Sequence, residues 1–149
     1  MSFSVGEKMI KYPFFTTAHM PIEEALEYMR DCEIRHLPVI ESDKLVGVVS
    51  ERDILSYRGL NKFDQLTVGD IMCNKPYMVT VDERLACVVR TMAKEKMGSV
   101  LIVDENNQLI GIFTVIDALL LLEQMLEGES EIKLQSYHPW TMKEAVYWV

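Results

Sequence analysis

The sequence has few cysteines and no arrangement of them that forms a known structural site. Cys32, Cys73 and Cys87 are widely spaced, and no CxxC pair is present. This pattern argues against both a disulfide framework and a zinc site. It favours reduced thiols, and we therefore expect a cytoplasmic protein.

The chain also lacks a long apolar run and a basic surface. Its longest apolar stretch, Leu109 to Leu122, is interrupted by Asp117 and is shorter than the ~20 residues that span a bilayer. Charged residues such as Glu7 and Lys8 interrupt any signal-peptide core. The net charge is −8, so neither a nucleic acid nor an anionic membrane is expected as a partner. An anionic ligand would need a local cluster of cations.

No pattern in the sequence indicates catalysis or metal binding. The GxSxG, HExxH, P-loop and GxGxxG motifs are all absent. His19, His36 and His138 do not have the spacing of metal ligands. We therefore expect no enzyme activity, no catalytic residue, no bound metal and no required cofactor.

The strongest positive signal is an internal duplication. Val5-Gly6-Glu7-Lys8-Met9 returns as Val68-Gly69-Asp70-Ile71-Met72 after 63 residues, and Leu45 to Asp53 returns as Leu109 to Asp117 after 64. Such a repeat predicts two similar units related by a pseudo-twofold axis, with any shared cleft between them.

One extra residue separates the two copies. Met29 and Met92 still align at a spacing of 63 residues, so we place the insertion at Gly98. A hydrophobic content of 49% and a charged content of 26% over 149 residues are typical of one compact globular protein.

Each copy has the same order of predicted elements. A short extended piece precedes a segment of helical periodicity, two β-rich runs joined by polar turn residues, and a second helix. The predicted units cover residues 1–60 and 68–127, with a linker at 61–67. The tail, 128–149, holds Trp140 and Trp148, together with other aromatic residues, and a possible short helix from Thr141. We expect it to pack on the repeats or on a partner subunit.

The repeat unit resembles a CBS domain, which is named after cystathionine β-synthase. Arg35-His36-Leu37-Pro38-Val39 followed by Gly47 to Asp53 is close to the family pattern, and Gly98 to Val103 with Gly111 to Asp117 is similar but less complete. Two such units in tandem look like a CBS pair, or Bateman module, over roughly residues 5 to 127. The resemblance implies an α/β (α+β) fold of two β-α-β-β-α units packed sheet to sheet. It also implies a sensor of adenine nucleotides or related ligands that regulates an effector, here as a stand-alone module.

Two Ser/Thr-x-x-Asp motifs stand where a strand runs into a helix. One interpretation of Ser50-x-x-Asp53 and Thr114-x-x-Asp117 is a capping box, in which hydroxyl and carboxylate bond to backbone N–H groups. The family implies another, in which the Asp accepts both ribose hydroxyls and the Ser or Thr meets ribose or phosphate. The two interpretations are compatible.

The first copy carries cations that the second lacks. By resemblance, Arg35 and His36 lie in the stretch that contacts phosphate, and Arg52 lies beside Asp53. The alternative is that both arginines are solvated or paired with neighbouring glutamates. With the insertion at Gly98, the positions of Arg35, His36 and Arg52 are taken by Ser99, Val100 and Ile116. We expect two unequal sites, the stronger centred on Asp53.

The remaining candidates follow from the resemblance. Thr17 and Thr80 match a threonine that helps to hold the nucleoside, or they simply end a strand. Four apolar residues could flank an adenine ring or belong to the core. The full expected nucleotide site is Thr17, Ile22, Arg35, His36, Val48, Ser50, Arg52, Asp53, Thr80, Leu85, Ile112, Thr114 and Asp117.

The predicted function is a regulatory module that binds AMP, ADP or ATP between the two units and signals to a separate effector. CBS pairs commonly dimerise, so we also expect a homodimer. The alternative is a module for dimerisation or protein interaction in which the cleft is vestigial.

Overall fold

A computed structural model describes residues 2–128 of the chain and contains two copies of one α/β arrangement. The helices are α1 Val5–Lys8, α2 Ile22–Asp31, α3 Glu51–Ser56, α4 Val68–Ile71, α5 Leu85–Glu95 and α6 Val115–Leu126. The strands are β1 Ile10–Lys11, β2 His36–Glu41, β3 Lys44–Ser50, β4 Met78–Val79, β5 Ser99–Val103 and β6 Leu109–Thr114. A short 3₁₀ turn, Phe63–Gln65, lies between the units.

Each unit packs helices against an antiparallel hairpin. In the first, α2 buries Ile22, Leu26 and Met29 and turns Glu23 and Glu27 to solvent, the pattern of an amphipathic surface helix. The core of this unit continues into the β2–β3 hairpin, and the second unit repeats it with α5 and the β5–β6 hairpin. The prediction of two β-α-β-β-α units is confirmed.

The strand register corrects the position of the inserted residue. Ile40 pairs with Leu45, five positions on, whereas Val103 pairs with Leu109, six positions on. The extra residue therefore lies in the second hairpin turn, and its placement at Gly98 was wrong.

The corrected register also changes which residues correspond in the two copies. His36 pairs with Ser50, and Ser99 pairs with Thr114. Ser99, not Val100, therefore stands in the place of His36, and Gly98 stands in the place of Arg35.

The first residues of the chain complete the second unit. Strand β1 pairs with β6, with Ile10 opposite Ile112. The backbone N–H of Val5 donates to the carbonyl of Glu83 at 2.8 Å, and the Val5 side chain is fully buried in the second core. The predicted boundaries follow the repeat along the chain and so place this segment in the first unit. Its packing places it in the second unit.

The corresponding segment of the second copy completes the first unit. The N–H of Val68 donates to the carbonyl of Met20 at 2.8 Å, and Cys73 exchanges backbone hydrogen bonds of 2.9 and 3.0 Å with Val48. Because this segment crosses β3 so closely, a Cβ at Gly47 would lie 2.7 Å from the Cys73 carbonyl oxygen. This close approach explains the glycine there.

The two hairpins meet across the pseudo-twofold axis. Leu45 of β3 packs against Leu101 and Ile112 of the second unit. At the turns, Lys44 Nζ donates to the Asn106 carbonyl at 2.7 Å, and Asn107 Nδ2 donates to the Leu45 carbonyl at 3.2 Å. The expected sheet-to-sheet packing is confirmed.

The exchange of segments predicts a remote effect of a mutation in α4. Val68→Ala should destabilise the protein by about 2 kcal/mol, because it removes two methyl groups from a fully buried side chain. Hydrogen exchange should rise most in α2 of the first unit, where Val68 packs. Leu60→Ala, at a residue that is 56% exposed, is the control and should leave the melting temperature nearly unchanged. Faster exchange confined to α5 would contradict the assignment.

No helix within residues 2–128 combines the length and apolar character that a membrane span requires. The aromatic tail and the helix expected from Thr141 lie outside the described residues.

Candidate functional site

The first candidate site lies where β3 runs into α3. The backbone N–H of Asp53 donates to Ser50 Oγ at 3.1 Å, and the N–H of Ser50 donates to Asp53 Oδ2 at 2.9 Å. These two bonds form the capping box that the sequence predicts. The capping interpretation is therefore confirmed for Ser50 and Asp53.

The capping box leaves hydrogen-bonding capacity in this motif. Within the described part of the chain, Asp53 Oδ1 accepts no hydrogen bond, and the Ser50 hydroxyl accepts one but donates none. Both residues are partly exposed. A carboxylate oxygen and a hydroxyl proton at the start of α3 thus have no hydrogen-bond partner among residues 2–128.

The second motif, Thr114 and Asp117 at the start of α6, is more fully satisfied within itself. Thr114 contributes its backbone N–H and also its hydroxyl proton to Asp117 Oδ2, at 2.8 and 2.9 Å. The Asp117 side chain is only 1% exposed. The hydroxyl proton that Ser50 keeps available is therefore engaged in Thr114.

His36 occupies the seam between the two motifs. A Cβ on Gly98 would lie 2.5 Å from His36 Nε2, so the glycine makes room for the imidazole of the other unit. Burial lowers the pKa of His36 below its usual value, the charge of Arg35 lowers it further, and the carboxylates of Asp53 and Asp117 oppose the change. Carboxylates of both candidate sites therefore act on the pKa of His36.

The lowered pKa predicts the sign of a pH effect. Since folding favours neutral His36, its stabilising contribution is complete above the unfolded pKa of about 6.5 and is lost as pH falls through the lower folded value. The melting temperature should therefore drop as the pH is lowered below the unfolded pKa of about 6.5, and His36→Gln should reduce that drop. His19→Gln, at an exposed position, is the control. An unchanged drop in the His36 variant would contradict this account.

The predicted cations lie on the surface of the first unit. Arg35 and Arg52 are both exposed, and neither forms an ion pair with Glu33 or Glu51 among residues 2–128. Arg35 immediately precedes β2. Its carbonyl accepts the N–H of Glu51 at 2.9 Å, so Arg35 lies beside the start of α3. The guanidinium groups of Arg35 and Arg52 are therefore not paired with the neighbouring glutamates.

The second unit lacks these cations. Its Gly98 carbonyl accepts the N–H of Val115 at 3.1 Å, which repeats the backbone contact of Arg35 without a side chain. Ile116 stands in the place of Arg52 and is half exposed. The two motifs therefore differ in the side chains beside them, and the residues that correspond differ from those inferred from the sequence.

The other predicted residues fall into two groups. Thr17 and Thr80 are exposed, and the carbonyl of each accepts a turn hydrogen bond, at 3.3 and 3.2 Å. Four apolar candidates instead contribute to hydrophobic clusters, Ile22 and Leu85 inside the cores of their units and Val48 and Ile112 where the hairpins meet.

The degree of burial separates these apolar candidates. Ile22 is 0% exposed and Leu85 5%, so neither offers a face for a ring in this conformation. Val48, which is partly buried beside the exchanged segment, retains some exposed surface. Among residues 2–128, no group of three or more His, Cys, Asp or Glu side chains could hold a metal ion.

Sequence reasoning missed Gly98 as a site residue. Its role depends on the His36 side chain of the other unit. The only available signal in the sequence was that Gly98 corresponds to Arg35 in the repeat. The misplaced insertion concealed that signal.

Comparison with known proteins places this geometry in context. The family model of the CBS domain matches residues 5–59 and 68–124. The chain is 29% identical over 121 residues to the uncharacterized protein MJ1232 of Methanocaldococcus jannaschii, an alignment that covers 81% of this chain and 40% of that protein. It is 32% identical over 110 residues to the inosine-5′-monophosphate dehydrogenase of Nitrosopumilus maritimus, covering 73% of this chain and 22% of the enzyme. The chain thus spans less than half the length of either relative.

A solved structure shares the whole fold. The CBS domain pair of protein MJ0100, crystallised in complex with 5′-methylthioadenosine and S-adenosyl-L-methionine, superimposes with a TM-score of 0.74 at 26% sequence identity. The match covers 86% of this chain and 98% of that one.

Proposed function

The chain belongs to the CBS domain family, and we propose that it is a regulatory module that binds an adenine nucleotide between its two units. The observation that carries the proposal is the unused hydrogen-bonding capacity of the Ser50/Asp53 motif. Asp53 Oδ1 and the Ser50 hydroxyl proton have no hydrogen-bond partner within residues 2–128, and they lie beside the cations of the first unit.

Ribose recognition is assigned to Asp53. A carboxylate can accept hydrogen bonds from two neighbouring hydroxyls, and a ribose presents its 2′- and 3′-hydroxyls side by side. The capping box holds the carboxylate in place through Oδ2, which leaves Oδ1 as the main acceptor. Ser50 can donate to a ribose or phosphate oxygen from the same helix start.

Phosphate recognition is assigned to Arg35, His36 and Arg52. Guanidinium groups bind phosphate oxygens bidentately, and an anion beside His36 would favour its protonated form. The chain carries a net charge of −8, so a phosphate is attracted only where such cations cluster.

Adenosine compounds as ligands are supported by a relative. The CBS pair of MJ0100 was crystallised with two of them, whose shared part is a nucleoside with a vicinal diol. Thr17 and the exposed part of Val48 are proposed to contact the nucleoside here. AMP, ADP and ATP are the proposed ligands, because the first site carries cations suited to phosphate.

The two sites are proposed to differ in occupancy. Thr114 and Asp117 satisfy one another, and no cation stands at Gly98 or Ile116. The second site, with Thr80 at its edge, is proposed to take at most an uncharged nucleoside, and more weakly than the first.

The module is proposed to act by shifting between arrangements of its units, as a homodimer that contacts a separate effector. A ligand can shift such an equilibrium only if it binds one arrangement more tightly. His36 packs against Gly98 across the seam, so a phosphate held by His36 would favour one relative position of the units. The proposal includes no turnover of the nucleotide, and it retains the predicted cytoplasmic location.

Isothermal titration with AMP, ADP, ATP, adenosine and 5′-methylthioadenosine tests the function, with GMP as the control for base recognition. We expect heat and a raised melting temperature for at least one adenine nucleotide, and a stoichiometry of about one per chain. No heat and no thermal shift at millimolar ligand would favour the rival function, an interaction module with a vestigial cleft. Hydrolysis of ATP that depends on Asp53 would instead indicate an enzyme.

A further inference from the structure

Strand β2 places an ionisable side chain between the two units, at the edge of the first site. Successive side chains of a strand point to opposite faces of the sheet. Leu37 and Val39 lie in the core of the first unit, so His36 points the other way, toward the second unit. Its contact with Gly98 of that unit agrees with this orientation. The imidazole is therefore part of neither core.

The groups next to the imidazole are small. In the β2–β3 ladder, His36 lies directly opposite Ser50, the N-cap of α3, and such pairs have Cβ atoms about 4.5–5.5 Å apart on one face of the sheet. On the side of the second unit, a Cβ at Gly98 would lie 2.5 Å from His36 Nε2 and 3.1 Å from its Cε1. The imidazole thus fills the space between the cap of the first site and the backbone of the second unit.

The imidazole has no hydrogen-bond partner among residues 2–128, and it remains partly exposed. Burial lowers the pKa of His36, Asp53 opposes this change, Arg35 reinforces it, and Asp117 opposes it. These three charges come from the start of α3, from the residue before β2 and from the start of α6. In the free protein, the neutral imidazole is therefore favoured.

The uncharged neighbours complete this environment. Ser50 of β3 and Gly98, which precedes β5, bring no charge to the ring. Ser99, the first residue of β5, occupies the place of His36 in the second unit. Within the described part of the chain, the protonation of His36 is thus governed by burial and by three charged side chains.

We propose that His36 makes the first site sensitive to pH, because the phosphate of AMP binds together with one proton that the imidazole takes up from solvent. The inference rests on the proposed function, in which the phosphate lies between Arg35 and His36. The protonated ring nitrogen becomes an additional N–H donor to a phosphate oxygen. No covalent bond of the nucleotide forms or breaks, and no other reactant is needed.

The sign of the pH effect follows from the two protonation states. A phosphate beside the ring favours the imidazolium form, so it raises the pKa of His36 above its value in the free protein. AMP affinity should therefore rise as the pH is lowered from about 8 toward the ordinary His value of 6.5. One proton per ligand limits this rise to about tenfold per pH unit. Below the pKa of the free protein, His36 is charged in both states and the effect ends.

The second unit provides a comparison within the same chain. Ser99 stands in the place of His36 there, and a serine hydroxyl does not change its charge in this pH range. A ligand held by the second site alone would therefore bind without taking up a proton at the equivalent position. The proton is a property of the first site.

Calorimetry at about pH 7 in buffers of different ionisation enthalpy counts the protons that accompany AMP. We expect the wild type to take up roughly half a proton or more with AMP and none with adenosine, which has no phosphate. Its AMP affinity should rise roughly five- to tenfold between about pH 8 and pH 6.5. His36→Gln should abolish the proton uptake and the rise in affinity. His19→Gln, at an exposed position, is the matched control and should retain both.

The phosphate of AMP also titrates, near about pH 6. Its titration affects the wild type and His36→Gln alike, so the difference between the two proteins isolates the contribution of His36. An NMR titration of the imidazole in the wild type makes the test independent of the variant. The pKa of His36 should be higher at saturating AMP than in the free protein or with adenosine.

Three outcomes would overturn the inference. AMP binding with neither proton uptake nor a change in the pKa of His36 would do so and would leave the proposed function intact. Proton uptake that persists in His36→Gln would assign the proton to another group. A wild type that binds no AMP at any pH would contradict the proposed function and the proton coupling together.

Discussion

Replacing Asp53 with asparagine should lower the affinity for AMP by roughly a hundredfold while the protein stays folded. Asparagine keeps one oxygen that can accept the Ser50 N–H bond of the capping box, and the loss of the negative charge at N3 should cost only about 0.3–1 kcal/mol of stability. Its amide NH₂ cannot accept a ribose hydroxyl. The substitution therefore separates binding from capping, which Asp53→Ala cannot do.

Two matched variants complete this experiment. Asp70 forms the same box in α4, where the Thr67 N–H donates to Oδ2 at 2.8 Å, but it is exposed and starts a different helix. Asp70→Asn should leave AMP affinity unchanged, and Asp117→Asn should change it by no more than a few-fold. If Asp53→Asn lowers the melting temperature and leaves the affinity intact, the motif serves capping alone.

Removing both arginines should convert a nucleotide site into a nucleoside site. In the Arg35→Gln/Arg52→Gln double variant, AMP affinity should fall roughly a hundredfold, because each charge-assisted bond to phosphate contributes about 1.5 kcal/mol or more. Adenosine, which carries no phosphate, should bind as it does to the wild type. Calorimetry of AMP and of adenosine, each titrated into the wild type and into the double variant, measures the coupling between the two arginines and the phosphate.

The control for the arginine variant is Arg30→Gln together with Arg58→Gln. Both residues are exposed arginines of the first unit that lie outside the proposed site. The control removes two positive charges, as the test variant does, so the overall charge changes equally. An equal loss of AMP affinity in this control would show that only net charge matters. An equal loss for adenosine in the test variant would show that the arginines hold the nucleoside or the fold.

The elements themselves could be predicted because their signals are local. The sequence predicts a helix from Val115 to about Leu126, and the helix spans Val115–Leu126. Capping motifs mark a helix start through residues three apart, and both Ser50/Asp53 and Thr114/Asp117 form the predicted boxes. Periodicity and caps require no knowledge of the partner surface.

The exchanged segments could not be predicted in this way. Val5 and Val68 are apolar residues of short helices, and nothing near them in sequence says which core they join. Each is fully buried in the other copy's unit. The choice is made by long-range contacts, such as the bond from the Val5 N–H to the Glu83 carbonyl.

The misplaced insertion has a similar cause. Val100-Leu101-Ile102-Val103 can slide by one residue against Leu37-Pro38-Val39 without losing its apolar character, so hydrophobicity does not fix the alignment. The hairpin pairing does, because a slip of one residue would turn every side chain to the other face. In the corrected alignment, Gly98 corresponds to Arg35 of the first copy. A glycine is needed there because a Cβ would lie 2.5 Å from His36 Nε2.

The most direct test of the central claim is a crystal structure of the protein with AMP. We predict density for one nucleotide per chain in the first site, with its ribose hydroxyls on Asp53 and its phosphate between Arg35 and His36. Density only beside Asp117, or a nucleotide bound elsewhere at saturating AMP, would contradict the account.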